Sequence, residues 1–421
     1  MPLRILTFGL FGCGNFGNDG SLEAMLNVLR AICPEAEVTC VTAQPAVITA
    51  AQRITALPID WPRPDSPLYR RIDRLLFKIP GTLMDAIHAF LRTRGADILI
   101  VPGTGILDDF RERPMGMPLA LFLWCLGARL AGARIAFVSV GAGPIRHPLS
   151  RMLMKAAARM ANYRSYRDAA SRDFMRSIGC HRDADTVYPD LAFALSAPPA
   201  VPPRPDAPPA VGVGIMAYRG WRAGTGLEEA IYARYIDTMA LFVGRLLDRG
   251  HRVRLLVGDA VDWEAVEAVS AAIHARGIAA PPGQLTMAPA HSLHDIMRQM
   301  ADTELVVATR FHNVVCALRM GRPLISIGYA PKNDALMAEM GLEAFCQHVE
   351  QLDLERLMVQ FDALMAERAE HERRIRTVVN AFRDQLARQE AALATTLFAD
   401  SQFAAAPRGA VDLSGPPRPT T

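Results

Sequence analysis

A guanidinium and an imidazole stand two residues apart in Thr309-Arg310-Phe311-His312-Asn313. The aliphatic run Leu305–Ala308 before them reads as a buried strand, and the pattern over 312–321 reads as a helix. Arg310 and His312 therefore fall where a strand ends and a helix begins. Free amide groups and the helix dipole favour an anion there. An arginine clamps a carboxylate or phosphate in bidentate fashion, and an imidazole exchanges a proton near neutral pH. Two more cations hold equivalent places. Arg219 follows the strand-like Val211–Met216, and Lys332 lies in Tyr329-Ala330-Pro331-Lys332-Asn333 after Pro323–Ile327. Three cations at three strand ends of one sheet, Arg219, Arg310 and Lys332, point to an anionic ligand, with His312 beside them able to give or take a proton.

Glycines mark the other strand ends. Gly12, Gly14 and Gly17 fit G-x-G-x-x-G between a strand and a helix. A dinucleotide site also wants a carboxylate at the end of the second strand, and that strand ends Cys40-Val41-Thr42-Ala43-Gln44. The loop is read instead as the lining of a cleft, with Asn15, Asp19 and Glu23 as its polar groups and Asp19 or Ser21 as helix cap. Pro102-Gly103-Thr104-Gly105-Ile106-Leu107-Asp108-Asp109 is a second such strand end. Gly103 lets a ligand or a neighbouring loop come close, and the Asp108–Asp109 pair suits sugar hydroxyls. Ser139-Val140-Gly141-Ala142-Gly143-Pro144 repeats the theme. The Arg167–Asp168 pair with Ser171 and Arg172 opens a helix; Asp168 and Ser171 read first as caps and second as ligand contacts, and Asp190 points toward the hinge. His291 and His294 flank a helix start without a third ligand, so no metal site is expected.

The elements that must position these groups alternate. Short aliphatic strands near 5–9, 37–41, 97–101, 135–140 and 162–166 are separated by helical segments near 20–32, 82–94, 115–131 and 147–161. Runs without polar alternation suit a parallel sheet covered on both faces. Residues 197–210 are half proline, which excludes a helix or central strand. A second α/β set follows. The expected organisation is a Rossmann-like domain over 1–196, a proline-rich linker over 197–210, a second Rossmann-like domain over 211–350, a C-terminal helix over 351–399 and a disordered tail over 400–421. Two such α/β domains facing each other place a cleft at the carboxyl ends of both sheets.

Composition excludes several classes. The 421 residues are 51% hydrophobic and 21% charged, with net charge +3, which suits folded domains and not a nucleic-acid binder. Seven scattered cysteines lack C-x-x-C spacing, so neither a zinc cluster nor a disulfide framework is expected. The apolar stretch 118–143 is broken by Arg129 and Arg134 and falls short of a membrane span. The opening apolar run dissolves into glycines and reads as a strand, not a signal peptide. Residues 69–78 (YRRIDRLLFK) form a basic amphipathic segment, read as a solvated helix face or as a contact with anionic lipid.

An ordered set of segments resembles the polysaccharide pyruvyl transferase family: GNFGNDGSLEAML, PGTGILDD, SVGAGPI, YRDAASRDFMRSIG with PDLAFAL, and ADTELVVATRFHNVVCALRMGRPLISIGYAPKNDALMAEMGL. The resemblance covers most of residues 5–342. It implies a fold similar to two-domain GT-B glycosyltransferases. It also implies transfer of pyruvate from phosphoenolpyruvate onto two hydroxyls of a saccharide, as a ketal. The family's Arg–Leu–His motif falls on Arg310, Phe311 and His312, and a further donor arginine on Arg219. The second domain would hold the donor, and Asn15, Asp19, Glu23, Gly103 and Asp108 of the first would meet the acceptor. No metal or nicotinamide cofactor is required. The expected setting is the cytoplasm, at the inner face of a membrane if the saccharide is lipid-linked, with no nucleic-acid partner. Two other readings stay open: a GT-B glycosyltransferase using a nucleotide sugar gripped by Glu339, and a non-catalytic saccharide-binding protein.

Overall fold

The computed structural model describes residues 2–76, 78–110, 112–199, 201, 208–220, 224 and 226–398. The expected tail, 400–421, lies outside these residues, as do 200 and 202–207 of the linker.

The aliphatic runs pair into two parallel sheets. The first holds β1 (Arg4–Phe8), β2 (Glu37–Thr42), β3 (Thr55–Pro58), β4 (Ile98–Pro102), β5 (Arg134–Val140), β6 (Tyr163–Tyr166) and β7 (Thr186–Val187). Its strand order is β3-β2-β1-β4-β5-β6-β7. The second holds β8 (Ala210–Gly214), β9 (Arg252–Leu256), β10 (Leu285–Met287), β11 (Leu305–Ala308), β12 (Leu324–Gly328) and β13 (Cys346–His348), in the order β10-β9-β8-β11-β12-β13. Central strands such as β4, β8, β11 and β12 are buried at every residue. That burial is what uninterrupted aliphatic sequence requires when helices cover both faces. The short edge strands β3, β10 and β13 carry no such run, and the sequence reading passes over them.

In the first lobe the helices are α1 (Phe16–Ile32), α2 (Pro45–Gln52), α3 (Pro67–Leu75), α4 (Ile79–Thr93), α5 (Met117–Leu130), α6 (Pro148–Met160) and α7 (Ala169–Ser177). The second lobe adds α8 (Glu228–Asp248), α9 (Trp263–Ala275), α10 (Leu293–Met300), α11 (Phe311–Arg319) and α12 (Pro331–Glu339). Each sheet reverses direction beside its first strand, between β1 and β4 and between β8 and β11. Open α/β sheets bind ligands at such switch points. The glycine loop and the Gly103 loop follow β1 and β4, while Arg219 and Arg310 follow β8 and β11.

The single helix expected over 351–399 is two, α13 (Leu354–Ala366) and α14 (Arg368–Phe398), broken at Glu367. The break frees α14 to leave the second lobe and return to the first. Its buried side chains Ile375, Val379, Phe382, Leu386, Gln389, Leu393 and Leu397 recur every three or four residues, one helical face. Phe382 meets Phe193 edge to face at 5.1 Å. Arg134 donates to the backbone oxygens of Thr396 and Leu397. One hydrophobic cluster runs from Ile5 and Met25 through Leu386 and Leu393 into Val211 and Leu305, so apolar packing as well as the linker ties the lobes together.

Gln389 is the polar exception on that face, 2% exposed. Its amide donates to the hydroxyls of Ser165 (2.8 Å) and Ser139 (3.0 Å), and the Ser139 hydroxyl reaches back to its carbonyl oxygen. Gln389→Ala strands the buried Ser139 hydroxyl and removes one bond from Ser165, whose hydroxyl keeps the Ser139 N–H at 2.8 Å. It is expected to cost about 2 kcal/mol, read as a lower denaturant midpoint; an unchanged midpoint would contradict this anchoring role.

Candidate active site at the seam between the lobes

The glycine loop packs against the other lobe. Its backbone pairs with the second lobe: Ala260 N donates to Gly14 O at 3.1 Å, and Asn15 bridges Asp259. Helix α1 starts at Phe16, a turn before the expected 20–32, because the Asn15 side chain accepts from Asn18 N at 3.2 Å and caps it. Neither Asp19 nor Ser21 is the cap. Gly17 and Gly20 are thus helical, and they stand on one face of α1. A Cβ on Gly17 would collide with the His312 ring, and one on Gly20 with Leu293. One turn on, Glu23 pairs with His294 Nε2 at 2.7 Å, which raises the His294 pKa. The glycines flatten α1 so that the second lobe can dock on it.

His312 sits in this seam with its side chain 13% exposed. Its Nδ1 side faces Gly17, and its Nε2 lies 3.8 Å from Asp190 Oδ2 without a hydrogen-bond partner. Asp190 is held by Ala192 N at 3.0 Å. Burial pushes the imidazole pKa down to about 4, Asp190 works against the drop, and Arg167, Lys332 and Arg310 add to it. His312 is therefore uncharged at neutral pH in the unliganded protein.

The three expected donor cations do not share one cradle. Arg310 is locked on Asp262, with Nε to Oδ2 at 2.8 Å and an Nη to Oδ1 at 2.7 Å. Asp262 is fully buried and also accepts from Ala217 N and Gly258 N, so this pair ties together the carboxyl ends of β8, β9 and β11. Arg219 lies over the Tyr232 ring at 4.1 Å and pairs with Glu229 and Glu264. Lys332 alone of the three lines the pocket at the seam, with Nζ 5.4 Å from the centre of the Phe311 ring.

The second cation in that pocket is Arg167, which the sequence reading took for part of a helix opening. Asp168 is indeed the cap of α7, accepting from Ser171 N at 2.6 Å. Arg167 turns inward. Its guanidinium lies 4.8 Å from the Phe311 ring centre and 2.6 Å from where a Gly141 Cβ would stand. Its carboxylate contacts are long, 3.5 Å to Asp190 and 3.6 Å to Asp168, and its Nε has no partner. This is a buried guanidinium with hydrogen-bonding capacity to spare. The one available signal was its position at a strand's carboxyl end. The pocket, about 70 Å³, also takes in Asp190, Phe193, Glu339 and, from α14, Phe382 and Gln385.

The expected acceptor residues divide by their bonds. Asp19 accepts from Gly12 N at 2.7 Å and closes the glycine loop. Gly103, at φ +55°, lies where a side chain would strike Ser21. Asp109 accepts from Arg146 N and His147 N and staples a neighbouring loop. Asp108 remains. Burial raises its pKa while Lys332, Phe110 N and Arg167 pull it back. Among the described residues no cluster of three or more His, Cys, Asp or Glu is arranged to hold a metal.

Gly17→Ala should fold, since the position is helical, yet force the His312 ring out of the seam. The ring would then titrate closer to its ordinary value of 6.5, visible as an imidazole NMR shift; an unmoved titration contradicts the packing. A companion effect appears in stability. A lowered folded-state pKa means that the unfolded chain binds a proton the folded one refuses between pH about 4 and 6.5. Stability is thus lost as pH falls through that window, and His312→Asn should remove this component.

Comparison with known proteins agrees with this architecture. No curated protein sequence matches. Among solved structures, the chain is similar to a UDP-GlcNAc 2-epimerase from Neisseria meningitidis bound to UDP-GlcNAc, with TM-score 0.61, 10% identity, and 94% of this chain and 100% of that one covered. A glycosyltransferase from Rickettsia africae gives TM-score 0.57 and 10% identity over 95% of this chain and 100% of that one. At these identities the likeness speaks for the fold alone, the two-lobed GT-B arrangement. A model of the polysaccharide pyruvyl transferase family matches residues 15–331, from the cap of α1 to the start of α12, and the chain belongs to that family.

Proposed function

We propose that the protein transfers a pyruvyl group from phosphoenolpyruvate to two hydroxyls of a saccharide, forming a pyruvate ketal in cell-surface or exopolysaccharide synthesis. One observation carries the reading: an uncharged imidazole, His312, is held between the lobes among Arg167, Lys332 and Arg310. Arg167 and Lys332 face the same pocket, and Arg167 meets its nearest carboxylate, Asp190, only at 3.5 Å, so both can turn to an anionic ligand. Phosphoenolpyruvate brings a phosphate and a carboxylate. Burial is the larger cause of the lowered imidazole pKa; the donor's charge would offset the part that the cations add, and so raise the pKa when the donor binds. Donor binding thereby loads the proton that the chemistry needs.

In this scheme His312 protonates the methylene carbon of the donor, and the neighbouring carbon becomes electrophilic. A sugar hydroxyl attacks it and loses its proton. The bond to the bridging oxygen breaks, inorganic phosphate leaves, and a second hydroxyl closes the ketal. Asp108, held by Phe110 N through one oxygen, is the acceptor-side carboxylate assigned to take a hydroxyl proton, since Asp19 and Glu23 are engaged elsewhere. Lys332 and Arg167 contact the donor's acidic groups. Arg310 acts from its pairing with Asp262, and Arg219 joins only if Glu229 and Glu264 release it. No cofactor is assigned. The acceptor is a saccharide, lipid-linked, met at the cytoplasmic face of a membrane; no helix among the described residues is long and apolar enough to cross one.

Glu339 supports a second reading. It lines the same pocket, and burial raises its pKa, with Asp168 adding to the rise. A carboxylate there would suit the ribose of a nucleotide sugar.

The deciding experiment incubates purified protein with labelled phosphoenolpyruvate and a panel of membrane-extracted saccharides. Label should appear in saccharide as phosphate is released. His312→Ala should abolish turnover with donor affinity within about threefold. Arg167→Ala should weaken donor binding by about 10-fold or more, as loss of a charge-assisted contact does. Tight binding of a nucleoside diphosphate sugar without binding of phosphoenolpyruvate would overturn the assignment in favour of glycosyl transfer.

A further inference from the structure

Helices α3 and α4 form a basic, apolar projection on the first lobe. Residues 63–94 carry seven Arg or Lys against three Asp, a net +4, while the whole chain is +3. Along α4, Ile79, Leu83, Ile87 and Leu91 recur every fourth residue, which is one helical face. That face is turned to solvent, with Ile79 65% and Leu83 58% exposed. On α3, Leu68 and Leu75 are 67% and 74% exposed. Arg71, Arg74 and Lys78 are exposed beside them and have no ion pair among the described residues. An apolar stripe of this length on a surface helix is a contact surface, not chance exposure.

The projection is also placed on the working side of the lobe. His88 Nε2 lies 3.0 Å from the backbone oxygen of Pro58, the last residue of β3. The helix reaches that point nine residues after Ile79, or about 14 Å along its axis. The first turns of α4, and α3 with them, therefore overhang the carboxyl ends of the strands, the side on which the seam opens.

We propose that the α3–α4 hairpin docks on an anionic lipid surface, its leucines and isoleucines entering the interface and its arginines meeting the headgroups. Charge complementarity selects this occupant. A symmetric contact between two copies would press one net +4 hairpin against another, whereas an anionic bilayer complements both the stripe and the charge. Docking deepens the proposed function by naming the surface on which a lipid-anchored saccharide is met, and it rests on that reading for this point only.

Co-sedimentation of the full chain with vesicles tests it without donor or acceptor. The protein should partition onto phosphatidylcholine vesicles containing phosphatidylglycerol, lose binding as salt rises, and bind phosphatidylcholine alone weakly. Leu75→Glu with Leu83→Glu should cut the bound fraction by about 10-fold. Arg71→Glu with Arg74→Glu, which spares the stripe, should do so selectively on anionic vesicles. All four positions are exposed, and phosphoenolpyruvate affinity serves as the control for folding. Failure of the wild-type chain to bind anionic vesicles overturns the proposal. So does a dimer, seen by light scattering, that the Leu75→Glu/Leu83→Glu chain no longer forms while vesicle binding is unaffected. Neither outcome touches the transfer reading, which is decided by label transfer and by donor binding.

Discussion

Everything in the site depends on how closely α1 and α11 approach across the seam. Gly17 gives the His312 ring its place, and no side chain could stand there without moving it. That contact aims the imidazole at Asp190 and keeps it 3.8 Å away, too far for a hydrogen bond. The first lobe thus supplies Asp190 and the loosely held guanidinium of Arg167, while the second supplies His312 and Lys332. Neither sheet alone carries the arrangement. The Glu23–His294 pair, the Gly14–Ala260 backbone bond and the return of α14 all hold the lobes in the register that this meeting needs.

The electrostatics explain why an uncharged acid is sensible. Burial first, and three nearby cations after it, keep His312 uncharged in the unliganded protein. A protonated imidazole in the empty site would be buried beside Arg167 and Lys332, with Asp190 no closer than 3.8 Å. Buried charges of one sign destabilise a fold, and the carboxylates present are largely committed, Asp262 to Arg310 and Asp190 to the Ala192 amide. An anionic ligand reverses the balance. On the proposed reading the proton is then held where it is used, and only when the donor is there to receive it.

Much of this was legible in the chain. Aliphatic runs marked the central strands of both sheets, because buried parallel strands need them. Strand ends marked His312, Lys332 and Asp108, because ligand loops lie there. What sequence could not give is which polar groups are already engaged. Arg310 and Arg219 look like open cations until Asp262, Glu229 and Glu264 appear beside them from positions 10 to 48 residues away. Arg167 looked like a helix opening because Asp168, next to it, truly is one. Gly17 was counted with a glycine loop lining the cleft, since a helical glycine packed on a neighbouring lobe has the same local spelling. The break at Glu367 carried no glycine or proline to announce it.

The central claim is that donor binding charges His312. Isothermal calorimetry at about pH 7, with phosphoenolpyruvate titrated in buffers of differing ionisation enthalpy, reads protons taken up on binding. The account predicts uptake approaching one proton per site in the wild-type chain and its loss in His312→Asn with binding retained. Binding without uptake, or uptake that persists in His312→Asn, would contradict it.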